Sequence, residues 1–168
     1  GIDFGMATVN GAGGEQNSNI NDFQLGVAYQ IQVGRGERWN PFLRLRTGFG
    51  RHSFGVDASA DPMAFTSTTY SGILAGASVL FKLDPKWDTG FNVTTYMFAS
   101  ASENPSTSGD VISTSAWEFG LFANHHFNES MDLIARLNLS AYSAEFSGTG
   151  IRPQPITSAT QSSQGLSF

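Results

Sequence analysis

The sequence predicts an all-β protein, an eight-stranded antiparallel up-and-down transmembrane β-barrel, and three observations carry that prediction. Apolar and polar residues alternate with a two-residue period along most of the chain, the period of a strand whose two faces meet different surroundings. Charge is sparse, since only 14% of the 168 residues are Asp, Glu, Lys or Arg, against about 25% in an ordinary soluble protein. Polar connections cut the chain into eight such segments, the even count that an up-and-down membrane barrel requires.

From the N-terminus, Ile2, Phe4, Met6 and Thr8 share one face, while Asp3, Gly5 and Ala7 share the other. A polar stretch, Asn10 to Asn19, reads as a loop. The second segment alternates most clearly, with Phe23, Leu25, Val27, Tyr29, Ile31 and Val33 set against Gln24, Gly26, Ala28, Gln30 and Gln32. A Gly-rich turn, Gly34 to Asn40, leads to Leu43, Leu45, Thr47 and Phe49 interleaved with Arg44, Arg46, Gly48 and Gly50. After a loop near Gly55 to Phe65, a strand from about Thr66 to Phe81 has a blurred phase, because Ile73, Leu74, Val79, Leu80 and Phe81 fall on both faces. The stretch Leu83 to Asp88 carries the Asp and Pro of a tight turn. Beyond it, Phe91, Val93, Thr95 and Met97 alternate with Gly90, Asn92, Thr94 and Tyr96. A Ser, Asn, Pro, Thr and Gly loop runs from about Ser102 to Ile112. Trp117, Phe119, Leu121 and Ala123 then alternate with Glu118, Gly120, Phe122 and Asn124. A short turn at Asn128 to Met131 reverses the chain into Leu133, Ala135, Leu137, Leu139 and Ala141, interleaved with Arg136, Asn138 and Ser140. A last loop, Gly148 to Ile156, precedes an eighth segment from Thr157 to Phe168.

Composition excludes several classes. The chain, 1–168, is the size of one domain. Its longest mainly apolar run, Ile73 to Phe81, is about half of what a spanning helix needs, so a helical membrane protein is ruled out. A net charge of −5 without a basic stripe argues against nucleic acid as a partner. With no cysteine, neither a disulfide framework nor a thiolate metal site is available. The chain opens directly in an alternating pattern, which reads as a mature form whose export signal has been removed.

The expected connections alternate long, short, long, short, long, short, long. In bacterial outer-membrane barrels the periplasmic turns are short and the outer loops long. Both termini are therefore expected on the periplasmic side of a Gram-negative outer membrane. Trp39, Trp87 and Phe127, beside the short turns, are expected to form the periplasmic aromatic belt.

Placement of charge indicates which face meets lipid. The charged residues well inside strands, Arg44, Arg46, Glu118 and Arg136, all lie opposite the large apolar residues. A soluble, lipocalin-like barrel would turn its apolar phase inward and line the other phase with lysines and glutamates. Here that phase is mainly Gly, Ala, Ser, Asn and Gln, which suits the narrow interior of an eight-stranded barrel. The four charges are expected to pair in a lumen ion-pair network that plugs the interior, since burying them requires mutual neutralisation. Asp3, on the same phase, is a further acid for Arg44 or Arg136.

By topology the whole chain resembles the OmpA-like family of small outer-membrane barrels. The terminal Leu166-Ser167-Phe168 looks like that family's C-terminal assembly signal, which ends in an aromatic residue and is read by the barrel-assembly machinery. The resemblance implies Leu166 and Phe168 as the signal, and outer-membrane lipid and lipopolysaccharide as surroundings. One feature departs from it: Thr160, Ser162 and Gln164 occupy the phase that Leu166 and Phe168 would turn to lipid. Polar groups facing hydrocarbon are costly unless partnered. The eighth strand is therefore expected either to stand above the membrane or to form a partner seam with another membrane protein or a second copy.

Chemistry is thinly signalled. Small outer-membrane barrels include lipid A deacylases and palmitoyltransferases that use His and Ser, which makes His52 beside Ser53, and His126 with His125 and Ser130, weak catalytic candidates. A nucleophile needs a base within hydrogen-bond reach and an orienting third group, and no signature supplies a triad. Adjacent histidines cannot share one face of a strand, so no metal site is expected. Gly11 to Gly14 precedes no helix and is no phosphate cradle. No cofactor is expected. The reading is a non-enzymatic barrel with a structural or binding role, acting through its outer loops or its polar seam; a lipid A-modifying enzyme and a narrow small-solute pore are the alternatives.

Overall fold

The computed structural model describes residues 2–11, 14–33, 40–56, 66–128, 131–148, 150 and 156–167, and for 2–11, 14–17, 40, 156–158, 163 and 165–167 it describes the backbone alone. Eight strands run in chain order: β1 (Ile2–Gly11), β2 (Gly14–Gln32), β3 (Asn40–Val56), β4 (Ser67–Asp84), β5 (Trp87–Asn104), β6 (Asp110–Asn128), β7 (Met131–Gly148) and β8 (Ile156–Ser167). They form one antiparallel sheet in which each strand pairs with its sequence neighbours. Among the described residues, β1 and β8 are not paired with each other.

The strands are longer than the apolar alternation suggests. The Asn10–Asn19 stretch is not a loop, since β1 pairs with β2 as far as Gly11 opposite Gly14. Likewise β5 runs on to Asn104, and β6 starts at Asp110 rather than beyond Ile112. Strict alternation of long and short connections is thereby lost, because two residues separate β1 from β2 and seven separate β2 from β3. Polar segments rich in Asn, Ser and Gln lack the side-chain signal of a strand, yet their backbones gain the same ladder bonds as their neighbours. Tertiary pairing overrides propensity there.

The phase of β4 is blurred in sequence because apolar residues occupy both of its faces, and its partner β5 is irregular. Its ladder with β5 pairs Ser71 with Ser100 but Ile73 with Met97, so Phe98 and Ala99 stand opposite the single Gly72. This is a β-bulge, which shifts the phase of one strand against its partner. Ile73 is 47% exposed, whereas Leu74 is 3% exposed. Phe98 takes a positive φ of 52° at the bulge.

The sheet curls so that strands four apart in order meet across its inner face. Gln24 on β2 bonds Glu118 on β6, and His52 on β3 stacks on Tyr142 of β7. Tyr70, Leu74, Tyr96, Ala116, Tyr142, Ala144 and Phe146 form the buried cluster on that face. The opposite face is apolar and exposed: Leu25, Val27 and Tyr29 are 67%, 72% and 71% accessible. Within the described residues, no helix is long and apolar enough to cross a membrane.

Candidate functional site

Alternation puts Arg46, Thr94 and Glu118 on the inner face, and the register aligns them, through Arg46 opposite Gly76, Gly76 opposite Thr94 and Thr94 opposite Glu118. Gly76 is what lets Arg46 cross this row. A Cβ there would meet Arg46 Nε at 2.9 Å and Thr94 Oγ1 at 3.1 Å. The guanidinium lies 3.9 Å from Glu118 Oε2 and donates to Thr94 Oγ1.

Glu118 is the hub of the inner face. Its Oε1 accepts from Tyr142 Oη at 2.6 Å and from Tyr96 Oη at 3.3 Å. Gln24 Nε2 reaches both carboxylate oxygens at 3.3 Å. A carboxylate drawn into a low-dielectric interior needs such donors, because desolvation without them costs several kcal/mol. Above this hub, the Tyr142 ring lies 3.9 Å from the His52 ring and nearly parallel to it, at 7°. His52 Nδ1 is 2.5 Å from Asp22 Oδ1, and His52 is only 5% exposed. The inner face is thus a chain of contacts from Asp22 through His52, Tyr142 and Glu118 to Arg46.

Of the four charges expected to pair, the structure brings together Arg46 and Glu118. Arg44 instead donates to Gln30 Oε1 at 3.1 Å. Arg136 is exposed and makes no ion pair among the described residues. Their register explains this, since Arg44 lies opposite Gln30 and Ser78 and Arg136 opposite Phe122. The Asp3 side chain is outside the described residues; its backbone pairs with Asp22.

The catalytic candidates separate. His52 faces inward while Ser53 faces outward, where its hydroxyl is 3.1 Å from Thr69 Oγ1. The two cannot act as base and nucleophile. His126 sits at the short-turn end between two carboxylates, with Nε2 3.0 Å from Asp88 Oδ2 and Nδ1 2.7 Å from Asp132 Oδ1. Ionised carboxylates only accept, so both ring nitrogens donate and the bracket favours the imidazolium. The bond to Asp88, then that to Asp132, holds the His126 pKa above its ordinary value. Ser130 lies outside the described residues. His125 faces the other way, with its ring 4.4 Å from Trp87 and 4.6 Å from Phe127. Trp39, the third residue expected beside the turns, is outside the described residues.

At the other edge, Thr160, Ser162 and Gln164 are exposed and pair in register with Glu145, Ser143 and Ala141. Leu166 pairs with Leu139 in the backbone ladder; its side chain and all of Phe168 are outside the described residues. Among the described residues, no group of three His, Asp or Glu is placed to hold a metal ion.

The roles of Gln24, Tyr96, Tyr142 and Asp22 were not foreseen. Their inward phase was readable from alternation, but meeting Glu118 or His52 depends on which strands the curl brings together. No family model matches the chain, no characterised protein matches its sequence, and no solved structure matches its fold.

Proposed function

We propose that this chain is a Gram-negative outer-membrane β-barrel with a structural or binding role, its interior filled by its own side chains and its contacts made beyond the lipid. The observation that carries this reading is the slant of the exposed apolar band. On β2 the band ends at Phe23, since Asn21 and Asn19 follow on the same face. On β7 it ends at Leu139, whose ladder row runs through Phe119, Val93, Ala77 and Leu45 to Tyr29. Phe23 and Tyr29 are six residues apart on β2, so the edge drops by six residues over the five steps from β2 to β7.

At about 3.3 Å per residue and 4.8 Å per strand, that is about 20 Å of drop over about 24 Å of width. The corresponding inclination is about 40°, within the tilt that a membrane barrel adopts. A horizontal bilayer drawn across tilted strands cuts them along such a diagonal. The ten residue steps from Phe23 to Val33 span about 33 Å along the strand, or about 25 Å of height at that tilt, the height of an outer-membrane apolar band.

The slant also accounts for the eighth strand. Thr160, Ser162 and Gln164 pair with residues beyond Leu139, which puts them past the edge of the band, where polar side chains meet water and headgroups. No partner chain is needed to cover them. On this reading the surroundings are outer-membrane lipid and lipopolysaccharide, the barrel-assembly machinery inserts the chain, and the rim and loops carry the contacts. The opposed faces of His52 and Ser53 remove the main support for a lipid A-modifying enzyme.

Trp117 tests the proposal, being 47% exposed within the band. The chain carrying Trp39→Phe and Trp87→Phe is refolded into vesicles containing brominated lipids. Strong, depth-dependent quenching of Trp117 is expected; fluorescence indifferent to bromine would refute a lipid-facing wall.

A further inference from the structure

We propose that Arg51, Ser71 and Ser100, with Phe98 beside them, form a site on the outward wall for the phosphate headgroup of an outer-leaflet lipid. The site rests on the membrane-spanning reading above, with the end that carries the ten-residue β3–β4 connection turned outward. Arg51 stands opposite Phe23 on one side and Ser71 on the other, and Ser71 stands opposite Ser100. This row lies at the upper edge of the apolar band, one outward position above Phe49, Ile73 and Met97. Facing residues in a ladder have Cβ atoms about 4.5–5.5 Å apart, so a guanidinium and two hydroxyls share one strip of wall.

Arg51 is exposed, and no acid pairs with it among the described residues. Asp22, its close neighbour in the ladder, is turned to the other face and held by His52. Glu145, the outward acid of β7, accepts from Ser113 at 2.9 Å. The hydroxyls of Ser71 and Ser100 lie 3.1 Å apart. A forked cation beside two adjacent hydroxyls matches the oxygens of a phosphate.

Phe98 identifies that phosphate as a lipid's. It is 84% accessible, the most exposed large hydrophobic side chain described, and its φ of 52° lies where bulky residues are rarely found. The bulge that imposes this conformation throws an aromatic ring outward at the level where the band ends. Aromatic rings at that depth lodge between acyl chains and headgroups. A soluble anion would gain nothing from Phe98, whereas a phosphorylated glycolipid meets the ring with its chains and the row with its head.

The test uses the full chain in detergent micelles, titrated with bisphosphorylated lipid A or its dephosphorylated form, with bound lipid counted by native mass spectrometry. Retention of the phosphorylated lipid is expected, falling roughly tenfold or more in Arg51→Ala, the scale of one lost charge-assisted hydrogen bond. Phe98→Ala is expected to weaken retention of the same lipid, and Lys86→Ala, at the opposite end of the sheet, to leave it unchanged. Equal retention of the dephosphorylated lipid, an unaffected Arg51→Ala, or displacement by millimolar inorganic phosphate would overturn the proposal. Quenching of Trp117 in brominated vesicles separates the two claims: a chain that inserts but binds lipid A without Arg51 refutes the headgroup site alone, and a chain that fails to insert refutes both.

Discussion

Val27→Arg separates a lipid-facing wall from a water-facing one. Val27 is 72% exposed and sits four residues below Phe23 and six above Val33 on β2. At about 3.3 Å per residue and a tilt of about 40°, it lies about 10 Å below the upper edge of the band and about 15 Å above the lower, within a few ångströms of the midplane. An arginine at that depth on the outside of a barrel costs about 2–4 kcal/mol. On a face turned to water, the same exposed substitution would change stability by no more than about 0.5 kcal/mol. Reversible urea unfolding in vesicles, followed by tryptophan fluorescence, measures the difference. Ser162→Arg supplies the internal comparison, because the slant puts it beyond the band, where the expected cost is about 0–1 kcal/mol. Equal costs for the two variants would refute the assignment of the diagonal edge to the bilayer.

Other consequences follow from the inner face and the short-turn end. Tyr142→Phe removes only the hydroxyl that donates to Glu118 at 2.6 Å, leaving Tyr96, Gln24 and Arg46 on the carboxylate; a loss of about 1.5–2 kcal/mol is expected in urea unfolding, the low end for a bond to a charged group, and a double-mutant cycle with Glu118→Gln should show coupling. The His126 bracket carries a pH signature. Because the folded pKa is raised, its contribution is fully present below the unfolded value of about 6.5 and is lost as pH rises through the folded value. Wild-type stability relative to His126→Gln should therefore decline on going from mildly acidic to alkaline buffer, and a constant difference would show that the bracket does not hold in solution.

How much was legible depended on which physical signal each element carries. Strands with one apolar face announce themselves, and β2 is the clearest case, where six apolar residues from Phe23 to Val33 alternate with small or polar ones. The same strand's upper part, Gly14 to Asn19, is equally regular in the backbone but has no apolar face, so it reads as loop. Inward charges were identifiable because they fall opposite the apolar phase. Pairing was not, since phase says which face a side chain takes and nothing about its row. Arg44 and Arg46 differ by one inward position, yet only Arg46 shares the row of Glu118. His52 and Ser53 show the converse: adjacency in sequence, which suggested joint chemistry, puts two side chains on opposite faces of a strand.

The slanted band and the contacts across the inner face constrain each other. Tilted strands turn each ladder row into a climb, so a row that starts among apolar residues on β2 ends among small and polar ones on β7 and β8, as the row of Val27 does when followed through Thr47, Ala75, Thr95 and Trp117 to Ala141 and Gln164. A flat sheet would give rows of uniform character and, on the proposed membrane-spanning reading, would leave polar residues of β8 in hydrocarbon. The curl belonging to such a tilt brings β2 to β6 and β3 to β7, which is what lets Gln24 and Arg46 reach Glu118, and His52 reach Tyr142. One geometric property therefore accounts for the polar eighth strand outside and for the carboxylate hub inside. Weakening the hub should loosen the curl before it disturbs any single ladder, so Glu118→Ala is expected to quicken hydrogen exchange first in β2 and β3, whose inner-face bonds to β6 it removes, with the β6–β7 ladder slower to follow.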